Sequence, residues 1–259
     1  MSKRRVALVT GATSGIGLEV ARSLGREGHA VFVVARNAEN VQTTVKQLRE
    51  EGIEADGAAS DVTSTEDIRT AVQKAVEVFG PIEILVNNAG RGGGGITAEL
   101  DEDLWLDVID TNLNGVFRFT KEVLSTGKMV EQSWGRIINI ASTGGKQGVV
   151  FAAPYSASKH GVVGFSKAVG IELAKSGITV NAVCPGYVET PMAGRVRQGY
   201  ANHWGVSEEE VLEKFNAKIP LGRYSSPEEV AGLVTYLTTD TASSITAQAL
   251  NVCGGLGNY

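Results

Sequence analysis

Seven short apolar runs punctuate the chain, at residues 5–10, 30–35, 54–60, 82–87, 135–142, 177–184 and 246–251. Each has the length of a strand, and Gly, Asn, Asp and Ser separate the runs from the segments between them. Between them, at 15–28, 38–51, 65–79, 101–126, 152–176 and 227–239, apolar residues recur three and four apart, the period of a helix with one covered face. Strands alternating with helices predict right-handed crossovers and a parallel sheet covered on both faces, a doubly wound α/β fold of about seven strands. No linker, repeat or charged block divides the chain, so residues 1–259 are expected to form one domain.

The alternation breaks once, over residues 185–226, where Tyr187, Tyr200, Trp204, Phe215 and Tyr224 are interspersed with charges and no strand pattern appears. A structureless loop of that length does not suit a compact domain, so short helices forming a lid over about 187–225 are expected. The segment follows the C-terminal end of a strand, where ligands of such sheets bind.

Composition narrows the function. Hydrophobic residues make up 42% and charged residues 20%, which excludes disorder. The net charge of −5 and the absence of a basic run beyond Lys3-Arg4-Arg5 argue against nucleic acid. The apolar stretch behind those residues, Val6 to Val9, is shorter than a signal-peptide core, and nothing approaches the roughly 20 apolar residues of a membrane span. A cytoplasmic protein is expected. Cys184, Cys253, His29, His160 and His203 are too scattered for a disulfide framework or a metal site. Glycine is the outlier: 32 of 259 residues, about 12% against a usual value of about 7%.

Part of that glycine lies directly after strand one, in Gly11-Ala12-Thr13-Ser14-Gly15-Ile16-Gly17, where a helix opens. Bare backbone turning into a helix N-terminus suits a pyrophosphate, although the spacing is Gly-x3-Gly-x-Gly and not the Gly-x-Gly-x2-Gly of dinucleotide folds. About 20 positions on, at the end of strand two, stands Arg36. An arginine there pairs with a 2′-phosphate and favours NADP over NAD; the other reading is an exposed arginine opening a turn. Asp61, ending strand three, is placed to accept from an adenine amino group, and Asn87-Asn88-Ala89-Gly90 ends strand four at the same edge.

Tyr155 and Lys159 stand four apart in a helical pattern, so both project from one face. An ammonium beside a phenol favours the phenolate and is expected to lower the tyrosine pKa, which makes the pair a tuned acid or base. Ser142, ending strand five, is positioned to hydrogen-bond the same carbonyl oxygen.

With these residues in view the chain resembles the short-chain dehydrogenase/reductase family, on Thr10 to Gly17, Asn87 to Gly90, Asn112, Ser142, Tyr155, Lys159, and Pro185-Gly186 with Thr190. Within it the chain is similar to the ketoreductases of type II aromatic polyketide synthases. That closer likeness rests on Asn87 to Arg91 with its glycine run, Ala141 to Val149, and the tail from Thr246 to Tyr259. The resemblance spans the chain and implies a single Rossmann-type domain using NADPH/NADP+ to reduce a ketone, at C9, of an aromatic polyketide in antibiotic biosynthesis.

The resemblance also implies roles. Tyr155 would protonate the ketone oxygen, Ser142 orient it, Lys159 bind the nicotinamide ribose and depress the tyrosine pKa, and Asn112 hold a water linking Lys159 to solvent. Gly11, Thr13, Ser14, Gly15, Ile16, Gly17, Arg36, Asp61 and Val62 would bind the adenosine and phosphate end. Asn88, Ala89, Gly90, Tyr155, Lys159, Pro185, Gly186, Val188 and Thr190 would hold the rest of the cofactor. Gly92, Gly93, Gly94, Thr143, Val149, Tyr187 and Tyr200 would contact substrate. Related ketoreductases usually carry proline after the arginine of the strand-four loop. Here Gly92 to Gly95 stand instead, so a more mobile loop is expected and face selectivity stays open.

The implied partner is an acidic acyl carrier protein, which Arg195, Arg197 and Arg91 are candidates to receive; solvated arginines are the other reading. Residues 152–175 are small and sparsely charged, so packing against a second copy, in a homotetramer, is expected. A 3-oxoacyl-[acyl-carrier-protein] reductase of fatty acid synthesis would share every catalytic residue and stays open, as does an alcohol dehydrogenase of a sugar or steroid. A non-catalytic NADP-sensing regulator would be expected to have lost Tyr155 or Lys159.

Overall fold

The computed structural model describes residues 3–257, so Asn258 and Tyr259 of the tail string lie outside the described residues. Seven parallel strands, β1 (Val6–Thr10), β2 (Ala30–Ala35), β3 (Ala55–Ala59), β4 (Ile84–Asn87), β5 (Gly135–Ile140), β6 (Ile178–Pro185) and β7 (Ala249–Val252), form one sheet in the order β3-β2-β1-β4-β5-β6-β7. The chain runs outward from β1 to β3, then returns to place β4 on the other side of β1. The crevice between β1 and β4 is therefore the topological switch point, the place where doubly wound sheets bind ligands.

The described residues form nine α-helices: α1 (Gly15–Arg26), α2 (Ala38–Glu50), α3 (Thr65–Phe79), α4 (Glu102–Ile109), α5 (Gly115–Leu124), α6 (Ala153–Glu172), α7 (Pro191–Trp204), α8 (Glu208–Asn216) and α9 (Pro227–Leu237). Alternation along β1 and β2 decides the layers. Val9, Val31 and Val33 face α1, α2 and α9 through Leu24, Leu48 and Val234, while Leu8, Phe32 and Val34 face α3 and α5 through Ile68, Val72 and Phe119. With both faces covered, the strands read as continuous apolar runs, as parallel sheets do.

Three boundaries depart from the sequence pattern for visible reasons. Residues 101–126 are not one α-helix, because Asp110–Asn114 form a π turn between α4 and α5. Strand five stops at Ile140, and Ser142 instead caps a 3-10 turn, Thr143–Gly145. Strand seven starts late because Thr246 Oγ1 accepts from the Val180 N–H and Ala247, at φ 58°, donates to the Val180 carbonyl before the ladder begins.

The lid over 187–225 is helical, with α7 capped by Thr190 and α8 closed by a capping box between Ser207 and Glu210. Its aromatics form a small core of their own: Tyr187 stacks on Phe215 at 5.0 Å and on Tyr224 at 5.2 Å, and Tyr200 meets Phe215 edge-on at 5.2 Å. Arg197 locks this core. Nine-tenths buried, it forms a two-pronged pair with Glu189 (2.7 and 2.9 Å) and reaches Glu208 at 3.0 Å. The docking role expected for Arg197 is thereby corrected, since its guanidinium is spent inside the lid; Arg195 beside it is exposed.

Under the site, a buried polar chain fixes α6 to the sheet. Asn87 Nδ2 donates to Asn139 Oδ1 (2.8 Å) and Thr120 Oγ1 (3.2 Å), and Asn139 Nδ2 donates to Ser166 Oγ (2.9 Å) on α6. Removing one member leaves its buried partners unpaired. Asn139→Ala should therefore lower stability by about 2 kcal/mol, read as a fall in the urea midpoint at constant slope. An unchanged midpoint would show that the chain does not hold the helix.

Candidate active site

The end of β1 is stitched to the end of β4. Thr10 Oγ1 accepts the N–H groups of Asn88 and Ala89, both at 3.0 Å, and Asn88 Nδ2 returns bonds to the carbonyls of Thr10 (3.0 Å) and Gly11 (3.1 Å). Gly11, at φ 63°, lies so near Ala89 that a Cβ would come within 2.9 Å of its Cα, and a Cβ on Gly17 would overlap Asn88 and the Gly11 carbonyl. Gly15 faces Thr190, whose Cγ2 lies 3.2 Å from the position of an added Cβ. The turns expected to hold a dinucleotide, 11–17, 88–90 and 185–190, thus converge.

Helix α1 opens in this cradle with Ser14 at its N-cap making no side-chain capping bond and with no acid in its first turn. Its first N–H groups and dipole are available to an anion. Arg36 is exposed at the end of β2 and forms no ion pair among the described residues, while Ser14 is exposed at the N-cap of α1. Asp61 holds its own turn through Oδ1, which accepts from the Thr63 N–H (2.9 Å) and hydroxyl (2.8 Å), with Val62 buried behind it. Bare backbone, a free helix start and an unpaired arginine fit a phosphorylated dinucleotide.

The second half of the site is built where α6 meets the turn after β5. Gly145 stands against the backbone of Lys159, leaving 2.5 Å to the Lys159 carbonyl oxygen for an added Cβ, and this contact seats the helix. Lys159 then reaches under the sheet edge, and its Nζ donates to the Ile140 carbonyl at 2.8 Å. The same ammonium lies 5.8 Å from the centre of the Tyr155 ring. Ser142 Oγ accepts the Gly144 N–H at 3.0 Å and is hydrogen-bonded to the Tyr155 phenol.

Electrostatics correct one expectation. Burial raises the Tyr155 pKa above that of an ordinary phenol, with the Ser142 bond offsetting part of the rise. Burial also lowers Lys159 to about 8, because its charge is taken out of water without a carboxylate. The depressed tyrosine anticipated from the Tyr-x3-Lys spacing is absent. The phenol stays protonated, which is the state of a proton donor.

Asn112 lies in the π turn, fully buried. Its Oδ1 accepts the Arg91 N–H (2.8 Å), and its Nδ2 donates to the Arg91 carbonyl (2.9 Å) and to Ser158 Oγ (3.1 Å). Ser158, which the sequence did not single out, passes the connection to the Tyr155 carbonyl at 2.7 Å. Gly90 completes the group, with Asn112 Oδ1 and Lys159 Nζ lying 3.2 and 3.7 Å from where its Cβ would stand.

The glycine run is less free than its composition suggested. Gly93 packs on Val108 and Leu104, Gly94 on the backbone of Phe151, and only Gly92 and the outer side of Gly95 face open space. Arg91 pairs with Asp107. Thr143 is buried, Val149 lies exposed beside Gly144, and Tyr187 and Tyr200 belong to the lid core described above.

The profile of the short chain dehydrogenases matches residues 5–201. The chain belongs to the short-chain dehydrogenase family. It is an oxidoreductase fold by that membership, and its relatives extend over its full length. A protein of Streptomyces virginiae named "Monensin polyketide synthase putative ketoacyl reductase" is 66% identical over 100% of this chain and 99% of its own. A "Putative ketoacyl reductase" of Streptomyces coelicolor is 65% identical over 98% and 97%. The solved structure of an actinorhodin polyketide ketoreductase variant with NADPH superposes with a TM-score of 0.97 at 64% identity, covering 99% of this chain and 98% of that one.

The lowered lysine makes stability depend on pH. An unfolded lysine ionises near 10.5, so between about pH 8 and 10.5 the unfolded chain holds a proton that the folded one has released. Stability from this group therefore rises with pH through that window, by up to about 3 kcal/mol. Urea unfolding at pH 7.5 and 9.5 should show the rise in the unmodified protein and lose it in Lys159→Met; equal pH dependence in both would contradict the burial of the charge.

Proposed function

We propose that this protein is an NADPH-dependent ketoreductase of a type II polyketide synthase, reducing a ketone of an aromatic polyketide carried on an acyl carrier protein to the alcohol. The observation that carries the reading is the buried Tyr155 phenol, bonded to Ser142 and with the Lys159 ammonium 5.8 Å from its ring centre, at the edge where the glycine cradle ends. The full-length likeness to polyketide reductases supports the substrate class, and the C9 position rests on that likeness.

NADPH, when bound, supplies the hydride to the ketone carbon. The protein's own groups handle the oxygen. Ser142 accepts the Gly144 N–H, which fixes its Oγ and leaves its hydroxyl proton to polarise the carbonyl. Tyr155 donates its proton as the oxygen gains charge, and the Lys159 ammonium steadies the tyrosinate left behind. Both amide hydrogens of Asn112 are committed, so the water that reconnects Lys159 to solvent hangs on a carbonyl oxygen of that residue.

In this reading Gly11, Thr13, Gly15, Ile16 and Gly17 present backbone to the pyrophosphate, and Ser14 with Arg36 holds the 2′-phosphate. Asp61 and Val62 meet the adenine. Asn88, Ala89 and Gly90 line the ribose side with Lys159. Pro185, Gly186, Val188 and Thr190 hold the carboxamide, Thr190 being drawn against Gly15. Gly92, Gly93, Gly94, Thr143, Val149, Tyr187 and Tyr200 contact the substrate, the two tyrosines from the partly buried edge of the lid core.

Exposed Arg195 is the docking cation for an acidic carrier protein; Arg91, the other candidate, has its guanidinium paired with Asp107. Trp105, Leu106, Phe117 and Ile171 remain exposed on α4, α5 and α6, which supports packing against further copies in a homotetramer. Among the described residues no helix is long and apolar enough to cross a membrane, and we place the protein in the cytoplasm.

Tyr155→Phe should lower turnover by on the order of 10²- to 10⁴-fold without loss of fold, as judged by circular dichroism. Turnover near that of the unmodified protein would remove Tyr155 from the reaction. Arg36→Leu should raise KM for NADPH about tenfold or more while changing KM for NADH little. An equal effect on both cofactors would deny Arg36 the phosphate. A preference for linear over fused-ring ketones in the unmodified protein would favour the fatty acid reading.

A further inference from the structure

Phe151 is the one aromatic residue among the described residues with a left-handed backbone, at φ 59°. A bulky side chain rarely adopts this conformation, and it persists only where the surroundings over-determine it. Here the Phe151 carbonyl does so. It accepts the Gly95 N–H at 2.8 Å, and Gly94 passes so close that any Cβ there would overlap the same oxygen and lie 2.9 Å from the Ala152 Cα. Position 94 accepts only glycine, and the loop after β4 is clasped to the loop that leads into α6.

The clasp continues to the phenol. Ala152 donates to the Val149 carbonyl (3.1 Å), Val149 donates to Ser156 Oγ (3.1 Å), and Ser156 donates to the Ala152 carbonyl (2.8 Å), one residue past Tyr155. Val149 Cγ2 and Tyr155 Cε1 both border Gly144, 3.0 and 3.3 Å from its Cβ position. The two clasped loops therefore form one rigid border to the reacting group.

What the border presents is apolar. Phe151 is 57% exposed, Val150 73%, Ile96 53% and Val149 38%. No bond-making step needs these side chains, and exposed apolar surface beside a reaction centre marks a ligand contact.

We infer that Phe151 is a specificity-determining residue: turned outward by the Gly94–Gly95 clasp, its ring is an apolar wall that selects ketones with a flat, apolar body over short linear ones. This rests on the reading of the substrate as an aromatic polyketide. The test compares kcat/KM on a fused-ring bicyclic ketone with kcat/KM on a linear β-keto thioester. Phe151→Gly deletes the ring but suits the left-handed backbone and keeps the carbonyl, so its thermal midpoint should stay level or rise. The fused-ring to linear ratio should fall about tenfold, chiefly through KM for the fused-ring ketone, and Phe151→Tyr should hold it near the unmodified value. A ratio unchanged in Phe151→Gly, or one that falls equally in Phe151→Tyr, overturns the inference. An unmodified protein that prefers the linear ketone counts against the polyketide reading, and the change of ratio in Phe151→Gly still decides the role of the ring.

Discussion

A lysine ammonium buried against the last carbonyl of a central strand is the constraint around which the site is arranged. For Lys159 Nζ to reach the Ile140 oxygen, α6 has to lie in van der Waals contact with the turn that follows β5, and this forces glycine at 145. Space for the ammonium on its other side comes from Gly90 and from the π turn that brings Asn112 inward. A single added residue in a helical turn, common at functional sites, here lets one side chain hold both the N–H and the carbonyl of Arg91 while reaching Ser158. The low dielectric that makes the arrangement rigid also sets its charges: the lysine is pushed down, the phenol up, and the phenol keeps its proton.

The glycine excess follows from the same demand for close approach. Gly11 and Gly17 allow the ends of β1 and β4 to be stitched by Thr10 and Asn88, and Gly94 allows a second stitch to Phe151 farther out. Backbone meets backbone at these points, so the bare residues tighten the loops. Gly92 differs, with open space around it.

Much of this was legible in the chain because it is periodic or local. The strand runs, the cradle after β1, the Tyr155–Lys159 pair and Ser142 are patterns within a few residues of one another, and their positions hold to within a few residues. What was illegible depends on partners far away in sequence. Nothing local marks Arg197 as a buried lid strut, since Glu208 joins it only after α8 folds back. The π turn at 110–114 has no periodic signature, and the direction of the tyrosine shift is set by the depth of the pocket, which spacing does not encode. Phe151 reads as an ordinary loop residue until the glycine run is seen against its carbonyl.

The balance of charge in the site turns on the neutral state of the Tyr155 phenol. Its most direct test is a spectrophotometric titration of tyrosinate absorbance in the cofactor-free protein, taken as the difference between the unmodified chain and Tyr155→Phe. The difference signal should appear only above pH 10, beyond the ordinary phenol value. A tyrosinate signal already present between pH 7 and 8 would contradict it.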